Sequence, residues 1–264
     1  MSTKPEDYTV HSADGTRIGF VKVGSGPAVV IVHGGLDTAE EWLPPAQAMA
    51  GRCTCYVMDR RGRGRSGDGV NYSLDREVDD IKAVLDVAGH GAHLLGHSSG
   101  AIFALETARR FPVGRLVLYE PPLGFSGPRA EGSLGRMRSR VEAGQTNEAL
   151  MILLKDEVDV PDETVQMLRD SPIWAQLVAL FPTFMRESEG IIRLGAAVDR
   201  YRDLLIPTLL LAGTETQNHP LYLTRDLQAA LPNARTVMLE GQGHLGNTEA
   251  PDLVARCVSD FLES

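Results

Sequence analysis

Between residues 92 and 111 an apolar strand runs straight into a glycine-flanked serine and then a helix, a junction that few folds accommodate. Ala92-His93-Leu94-Leu95 reads as the strand, Gly96-His97-Ser98-Ser99-Gly100 as a G-x-S-x-G turn, and Ser99–Phe111 as the helix. So sharp a reversal holds the third residue of the turn, Ser98, in a strained conformation with its hydroxyl exposed. Small residues at 96 and 100 let the two backbones pass closely. The helix that follows aims its N-terminal amides at any negative charge developing beside the serine. The five-residue pattern alone arises by chance, and the strand and helix around it supply its weight. The plainer alternative is a glycine-rich turn with a capping serine.

The rest of the chain alternates in the same way. Tyr8–His11 and Arg17–Val23 flank the hairpin signal Ala13-Asp14-Gly15-Thr16. Ala28–Val32, Cys53–Met58, Leu116–Tyr119, Thr208–Ala212 and Thr236–Leu239 read as further strands. Thr38–Ala50, Leu74–Ala88, Leu221–Leu231 and Pro251–Leu262 read as helices, Leu74–Ala88 on its helical apolar period. Continuous apolar runs joined by crossover helices predict an α/β fold with a mostly parallel eight-stranded sheet and helices on both faces. Pro121 to about Asp203 breaks the rhythm with helical segments punctuated by Gly144, Pro161, Pro172 and Pro182. The expected organisation is a core of residues 1–122 and 204–264, with 123–203 a helical cap inserted after strand 6. Above the carboxyl ends of the strands, where such sheets bind ligands, it reads as a lid.

The 264 residues carry 35 acidic and 26 basic side chains, a formal net charge of −9. An acidic surface loses the main electrostatic term for nucleic acid and is disfavoured at anionic membranes. Three cysteines, Cys53, Cys55 and Cys257, make no disulfide framework, and no His/Cys cluster has zinc spacing. The expectation is therefore no metal and no cofactor. The first ten residues lack an apolar signal core and no apolar run approaches membrane-span length, so the expected compartment is the cytoplasm. The expected partner is a small-molecule substrate, on a monomer or homodimer, without nucleic acid or membrane.

With these motifs in place the chain resembles the α/β-hydrolase family over nearly all its length. His33-Gly34-Gly35 stands where that family has its oxyanion turn. Asp59-Arg60-Arg61-Gly62-Arg63-Gly64-Arg65-Ser66 looks like its D-x-R-G-x-G-x-S loop, which makes the basic run a structural loop rather than a polyanion site. Gly241-Gln242-Gly243-His244 resembles the G-x-G-H turn after the last strand, and Glu249-Ala250-Pro251 opens the terminal helix as the family does. The resemblance implies Ser98 as nucleophile and His244 as base. It implies the backbone N–H groups of Gly35 and Ser99 as oxyanion donors. His33 is expected to pack or hydrogen-bond at the oxyanion turn, and His97 holds the variable elbow position. His11, His90, His93 and His219 lack comparable context.

The acid departs from the family pattern. Most members place an aspartate three residues after a glycine beyond strand 7, where this chain has Thr216. Two carboxylates can substitute. Glu120 ends the sixth strand beside the elbow strand, a place that looks similar to the one used in some dehalogenases and lactonases. Its extra methylene would help it span to the His244 ring. Glu215 is the alternative, one residue out of register.

The substrate signal is thinner. Leu36, Trp42 and Phe125 are expected at a pocket mouth, with Trp174, Phe181 and Phe184 of the insertion contributing apolar lining, or else packing between helices. With no basic cluster on the insertion, the expected substrate is a neutral, hydrophobic carboxylic ester or lactone, cleaved through an acyl-enzyme. A serine nucleophile argues against dehalogenase and epoxide-hydrolase chemistry. The alternatives are a non-hydrolytic small-molecule binding protein or receptor on the same fold, and a cofactor-free peroxidase or C–C hydrolase.

Overall fold

A computed structural model describes residues 4–158, 160–216 and 224–264. Its organising element is one eight-stranded sheet in the order β1-β2-β4-β3-β5-β6-β7-β8. The strands are β1 Glu6–His11, β2 Arg17–Gly24, β3 Ala28–Val32, β4 Thr54–Met58, β5 His93–His97, β6 Leu116–Tyr119, β7 Thr208–Gly213 and β8 Ala234–Leu239. β2 runs antiparallel to β1 and β4, and every other pair is parallel. Ala28–Val32 and Leu116–Tyr119 form the expected strands without change, because continuous apolar runs in central strands leave the register no alternative.

Alternation along each strand divides the core between two faces. Val29, Ile31, Cys55, Val57, Leu95, Val117, Tyr119, Leu209 and Leu211 join one buried cluster with Val254, Val258 and Phe261. That face is covered by α1 (Leu43–Met49) and the terminal helix Pro251–Glu263, which pack on each other. The intervening residues Val30, Leu94, Leu116, Leu118 and Leu210 are equally buried. α2 (Leu74–Ala88) and α3 (Ser99–Arg110) pair with each other and contact β3 and β5.

The chain divides into two compact units. The first comprises the residues up to 34, 38–124 and 197–264 and contains the whole sheet. In it the expected helix Thr38–Ala50 is split. A 3-10 turn, Ala39–Trp42, precedes α1, because Pro44 and Pro45 supply no N–H and restart the helix at its first turn. The expected helix from Leu221 is described only as Thr224–Ala230, since 221–223 lie outside the described residues.

The basic run is folded inward. Arg60 and Arg61 are fully buried; Arg61 pairs with Asp80 and Asp14, and Arg65 with Asp7, Glu40 and Asp59. Asp59 also accepts the backbone N–H groups of Ala39 (2.8 Å) and Arg65 (2.9 Å).

The second unit comprises residues 35–37 and 125–196. It contains α4 (Gly127–Glu142), α5 (Thr146–Ile152) running into a π turn at Leu153–Glu157, α6 (Asp162–Arg169) and α7 (Ile173–Leu194). Gly144, Pro161 and Pro172 mark the expected breaks. Pro182 does not: α7 runs through it. Interior proline costs about 3 kcal/mol, but Pro182 is exposed, and Leu180, Phe181, Met185 and Ile191 bury the opposite side.

The helices of the first unit are completed by α8 (Thr224–Ala230), α9 (Gly246–Glu249) and α10 (Pro251–Glu263). Among the described residues, no helix is long and apolar enough to cross a membrane.

Candidate active site

Three loops converge at the carboxyl ends of β5, β6 and β8. At the end of β5 the chain turns on Ser98, with φ 54° and ψ −129°, and enters α3 one residue later. Among the described residues, Ser98 and Glu120 are the non-glycine residues with positive φ. Such conformations cost roughly 1–3 kcal/mol each and persist only where the surroundings enforce them. Here the enforcement is visible. The Ser98 N–H donates to the Tyr119 carbonyl (2.9 Å), and the Ala101 N–H to the Ser98 carbonyl (2.9 Å). A Cβ on Gly96 would lie 2.5 Å from Ala101 Cα, and one on Gly100 would collide with the carbonyl oxygens of Val32 and His33. Both small residues are therefore required. Ser98 occupies the N-cap position of α3 yet makes no side-chain capping bond, which removes the capping-serine alternative. Ser99 is buried at the first position of that helix.

Glu120 follows β6 with φ 45° and is fully buried. A buried carboxylate needs donors, and two are present. Oε1 accepts the Gly213 N–H (2.8 Å) and Oε2 lies 2.7 Å from His244 Nδ1. With Nδ1 committed to that carboxylate, Nε2 is the ring nitrogen suited to proton transfer.

The loop carrying His244 is held by its backbone. His97 Nε2 donates to the His244 carbonyl (3.0 Å). The Tyr119 hydroxyl donates to the Gly243 carbonyl and accepts the Gly246 N–H (3.1 Å). A Cβ on Gly246 would lie 2.7 Å from that hydroxyl. Burial, with the Glu120 charge adding to it, pushes the Tyr119 hydroxyl well above the ordinary phenol range. It therefore stays a neutral donor. The consecutive residues Tyr119 and Glu120 thus hold one loop twice, by its backbone and by its histidine ring. Tyr119 escaped the sequence reading because an apolar strand-end tyrosine looks like core; only its register beside the last loop reveals the grip.

The remaining expected residues are placed as follows. His33 is buried, with Nδ1 donating to the Gly34 carbonyl (2.8 Å) and Nε2 accepting the Arg60 N–H (3.1 Å). Trp42 is fully buried in the core, its ring 5.6 Å from that of His97, which in turn lies 4.7 Å from the His244 ring. Glu215 is exposed in a 3-10 turn after β7. In the second unit, a Cβ on Gly35 would meet Phe184 Cδ2 at 2.9 Å. Leu36 and Phe184 are half-buried, Phe125 and Phe181 buried, and the rings of Phe181 and Phe184 are 5.5 Å apart. Trp174 Nε1 donates to Asn147 Oδ1 (2.7 Å). Among the described residues, no group of three or more His, Cys, Asp or Glu is arranged to hold a metal ion.

Comparisons with known proteins agree with this fold. A family model described as the alpha/beta hydrolase family matches residues 29–257. The crystal structure of an alpha/beta hydrolase from Sphaerobacter thermophilus superposes with a TM-score of 0.86 at 33% identity, over 97% of this chain and 100% of that one. A protein of Azorhizobium caulinodans provisionally named carbamate hydrolase RutD is 29% identical over 251 residues, 90% of this chain and 92% of its own. N-formylmaleamate deformylase of Pseudomonas putida is 38% identical over 125 residues, 45% of this chain and 47% of its own.

Proposed function

The chain belongs to the alpha/beta hydrolase family, and from that premise we propose that it is a serine hydrolase that cleaves a carboxylic ester or lactone of a neutral, hydrophobic small molecule. The observation that carries this reading is the 2.7 Å contact between His244 Nδ1 and the buried Glu120 carboxylate, in the unit that also holds the strained Ser98.

In the proposed reaction Ser98 Oγ attacks the substrate carbonyl carbon while His244 Nε2 takes the hydroxyl proton. Glu120 stabilises the resulting imidazolium and holds the ring in one tautomer. The N–H groups of Ser99 and Gly35 receive the oxyanion. Collapse breaks the C–O bond, and His244 returns the proton to the departing alcohol; in a lactone that alcohol stays tethered to the acyl group. A water then gives one proton to His244 and attacks the acyl-enzyme; as the second tetrahedral intermediate collapses, the ester C–O bond breaks, His244 returns that proton to Ser98 Oγ, and the acid leaves.

A second reading, cleavage of a C–N bond by the same steps, draws support from the names of two relatives, a carbamate hydrolase and an N-formyl amide deformylase. The leaving group would then be an amine or ammonia protonated by His244. A hydrolysis panel of p-nitrophenyl esters, lactones, carbamates and N-formyl amides, run beside Ser98→Ala, separates the two. Ester or lactone turnover that disappears in Ser98→Ala supports the first reading. Turnover confined to carbamates or amides replaces it with the second, and turnover that survives Ser98→Ala sinks both.

A further inference from the structure

Arg60 stands at a variable position of the loop after β4, where the sequence assigns it only a share in loop structure. Its environment is far more specific. The side chain has no exposed surface. Nε and Nη2 grip the carboxylate of Glu77 at 3.1 and 2.8 Å, and the guanidinium carbon lies 4.4 Å from the centre of the Phe103 ring. Glu77, on α2, is likewise fully buried. Burial by itself would raise its pKa, but the Arg60 charge and hydrogen bonds, helped by Arg63 and Arg61, outweigh that and hold the carboxyl below its ordinary range. Two ions removed from water are seldom a net source of stability, since an apolar pair of similar volume commonly does as well or better. The pair therefore calls for a role beyond packing.

The remaining contacts supply one. Arg60 Nη1 donates to the Gly34 carbonyl (3.1 Å) and to Ser99 Oγ (3.1 Å). The Gly34 carbonyl also receives His33 Nδ1 (2.8 Å). His33 can donate there because its Nε2 accepts the backbone N–H of Arg60 (3.1 Å), which fixes the proton on Nδ1. Arg60 thus controls one carbonyl twice, through its side chain and through the tautomer of His33. A peptide unit is planar and trans, so pinning the Gly34 C=O sets the direction of the N–H on the far side of the same peptide, that of Gly35. Donors on a carbonyl also polarise the amide and strengthen its N–H.

We propose that Arg60, backed by Glu77, is a positioning residue for the oxyanion site: it orients and polarises the Gly34–Gly35 peptide and anchors Ser99, the residue that supplies the second donor. Its role is exerted through the Gly34 carbonyl and Ser99 Oγ. The proposal rests on the serine-hydrolase reading for its consequence and on the hydrogen bonds alone for its geometry.

Arg60→Met by itself leaves a buried, unpaired carboxylate and is expected to fold poorly, so the informative variant is Arg60→Met/Glu77→Met. Circular dichroism and thermal melting establish that it is folded. The expected result is a kcat lower by roughly 100-fold, the scale of losing one oxyanion donor, with KM little changed. Affinity for an aryl boronic acid, which mimics the tetrahedral intermediate, falls in parallel. In a ¹⁵N-labelled protein the Gly35 amide proton moves upfield. Arg60→Lys, which keeps the charge beside Glu77, recovers part of kcat. A folded double variant with near-normal kcat and an unmoved Gly35 amide would overturn the proposal and leave the pair as scaffold. Should the wild-type protein be inert toward both substrates and boronic acid, the hydrolase reading falls separately. The amide signal then still decides the geometry: upfield movement sustains the clamp, and an unmoved signal removes it.

Discussion

Oε2 of Glu120 lies 2.7 Å from Nδ1 of His244, although 124 residues separate them in the chain. Strand order makes the contact possible. β6 sits between β5, which ends at the elbow, and β7, whose terminal residue Gly213 donates its N–H to the other Glu120 oxygen. The carboxylate therefore reaches past the end of β7 toward the loop that follows β8. A Cβ on Gly213 would collide with the Gln242 carbonyl, so the glycine lets the histidine loop lie close enough to be reached.

Thr216 holds the place where most of the family carries its aspartate, and its Oγ1 would be 3.5 Å from a Cβ on Gly243 in the histidine loop. Thr216→Asp introduced into Glu120→Gln should restore turnover by roughly 10-fold or more, because a carboxylate again stabilises the imidazolium. Steady-state kcat of the single and double variants measures this; a double variant no better than Glu120→Gln would show that the β7 position no longer reaches the ring.

Tyr119→Phe removes one hydroxyl that serves two backbone groups, the Gly243 carbonyl and the Gly246 N–H. Leaving them unpaired should cost about 1–3 kcal/mol in urea unfolding. Looser placement of His244 should also lower kcat and shift the acid limb of the pH–kcat/KM profile. A stability loss without any change in that profile would make Tyr119 purely structural.

Glycines in this chain differ sharply in what they permit. Gly96→Ala places a Cβ 2.5 Å from Ala101 Cα, a backbone atom that cannot move aside. It should destabilise by about 1–3 kcal/mol, the usual scale of overpacking, and abolish reaction of Ser98 with a fluorophosphonate. Gly132→Ala, inside α4 with nothing within 4 Å, should instead raise stability by about 0.5–1 kcal/mol. Thermal melting of the two variants checks both signs.

Burial, with the Arg115 charge adding to it, depresses the His93 pKa below its ordinary value. Well above pH 6.5 both folded and unfolded chains carry a neutral imidazole, and the group contributes nothing to pH dependence. As pH falls through 6.5, the unfolded chain takes up a proton that the folded chain resists. Stability then drops, by up to about 1.4 kcal/mol per pH unit. Urea unfolding between pH 7.5 and 5.5 should therefore show a flatter pH dependence in His93→Gln than in the wild type.

Much of this architecture is legible in the sequence because its strongest signals are local. Ala28–Val32 and Leu74–Ala88 emerge with the expected boundaries, one from an unbroken apolar run and the other from a helical period closed by Gly89. The elbow is legible because its glycines answer close backbone contacts that any strand–turn–helix reversal makes. Arg60 and Glu77 were not legible as a unit. Patterning places charged residues outside, and nothing local signals that two of them meet in the core. The four-residue helix α9 is too short for periodicity to register. Pro182 reads as a break, since the apolar face that carries α7 through it is a tertiary matter.

The assignment of Ser98, His244 and Glu120 is tested most directly by the rate of fluorophosphonate labelling with peptide mapping, compared among wild type, Ser98→Ala, Glu120→Gln and Glu215→Gln. Label is expected on the Ser98 peptide and absent in Ser98→Ala, with labelling slowed by roughly 10³–10⁴ in Glu120→Gln and a near-normal rate in Glu215→Gln. Wild-type labelling in Glu120→Gln, or its loss in Glu215→Gln, would remove Glu120 as the acid of the triad.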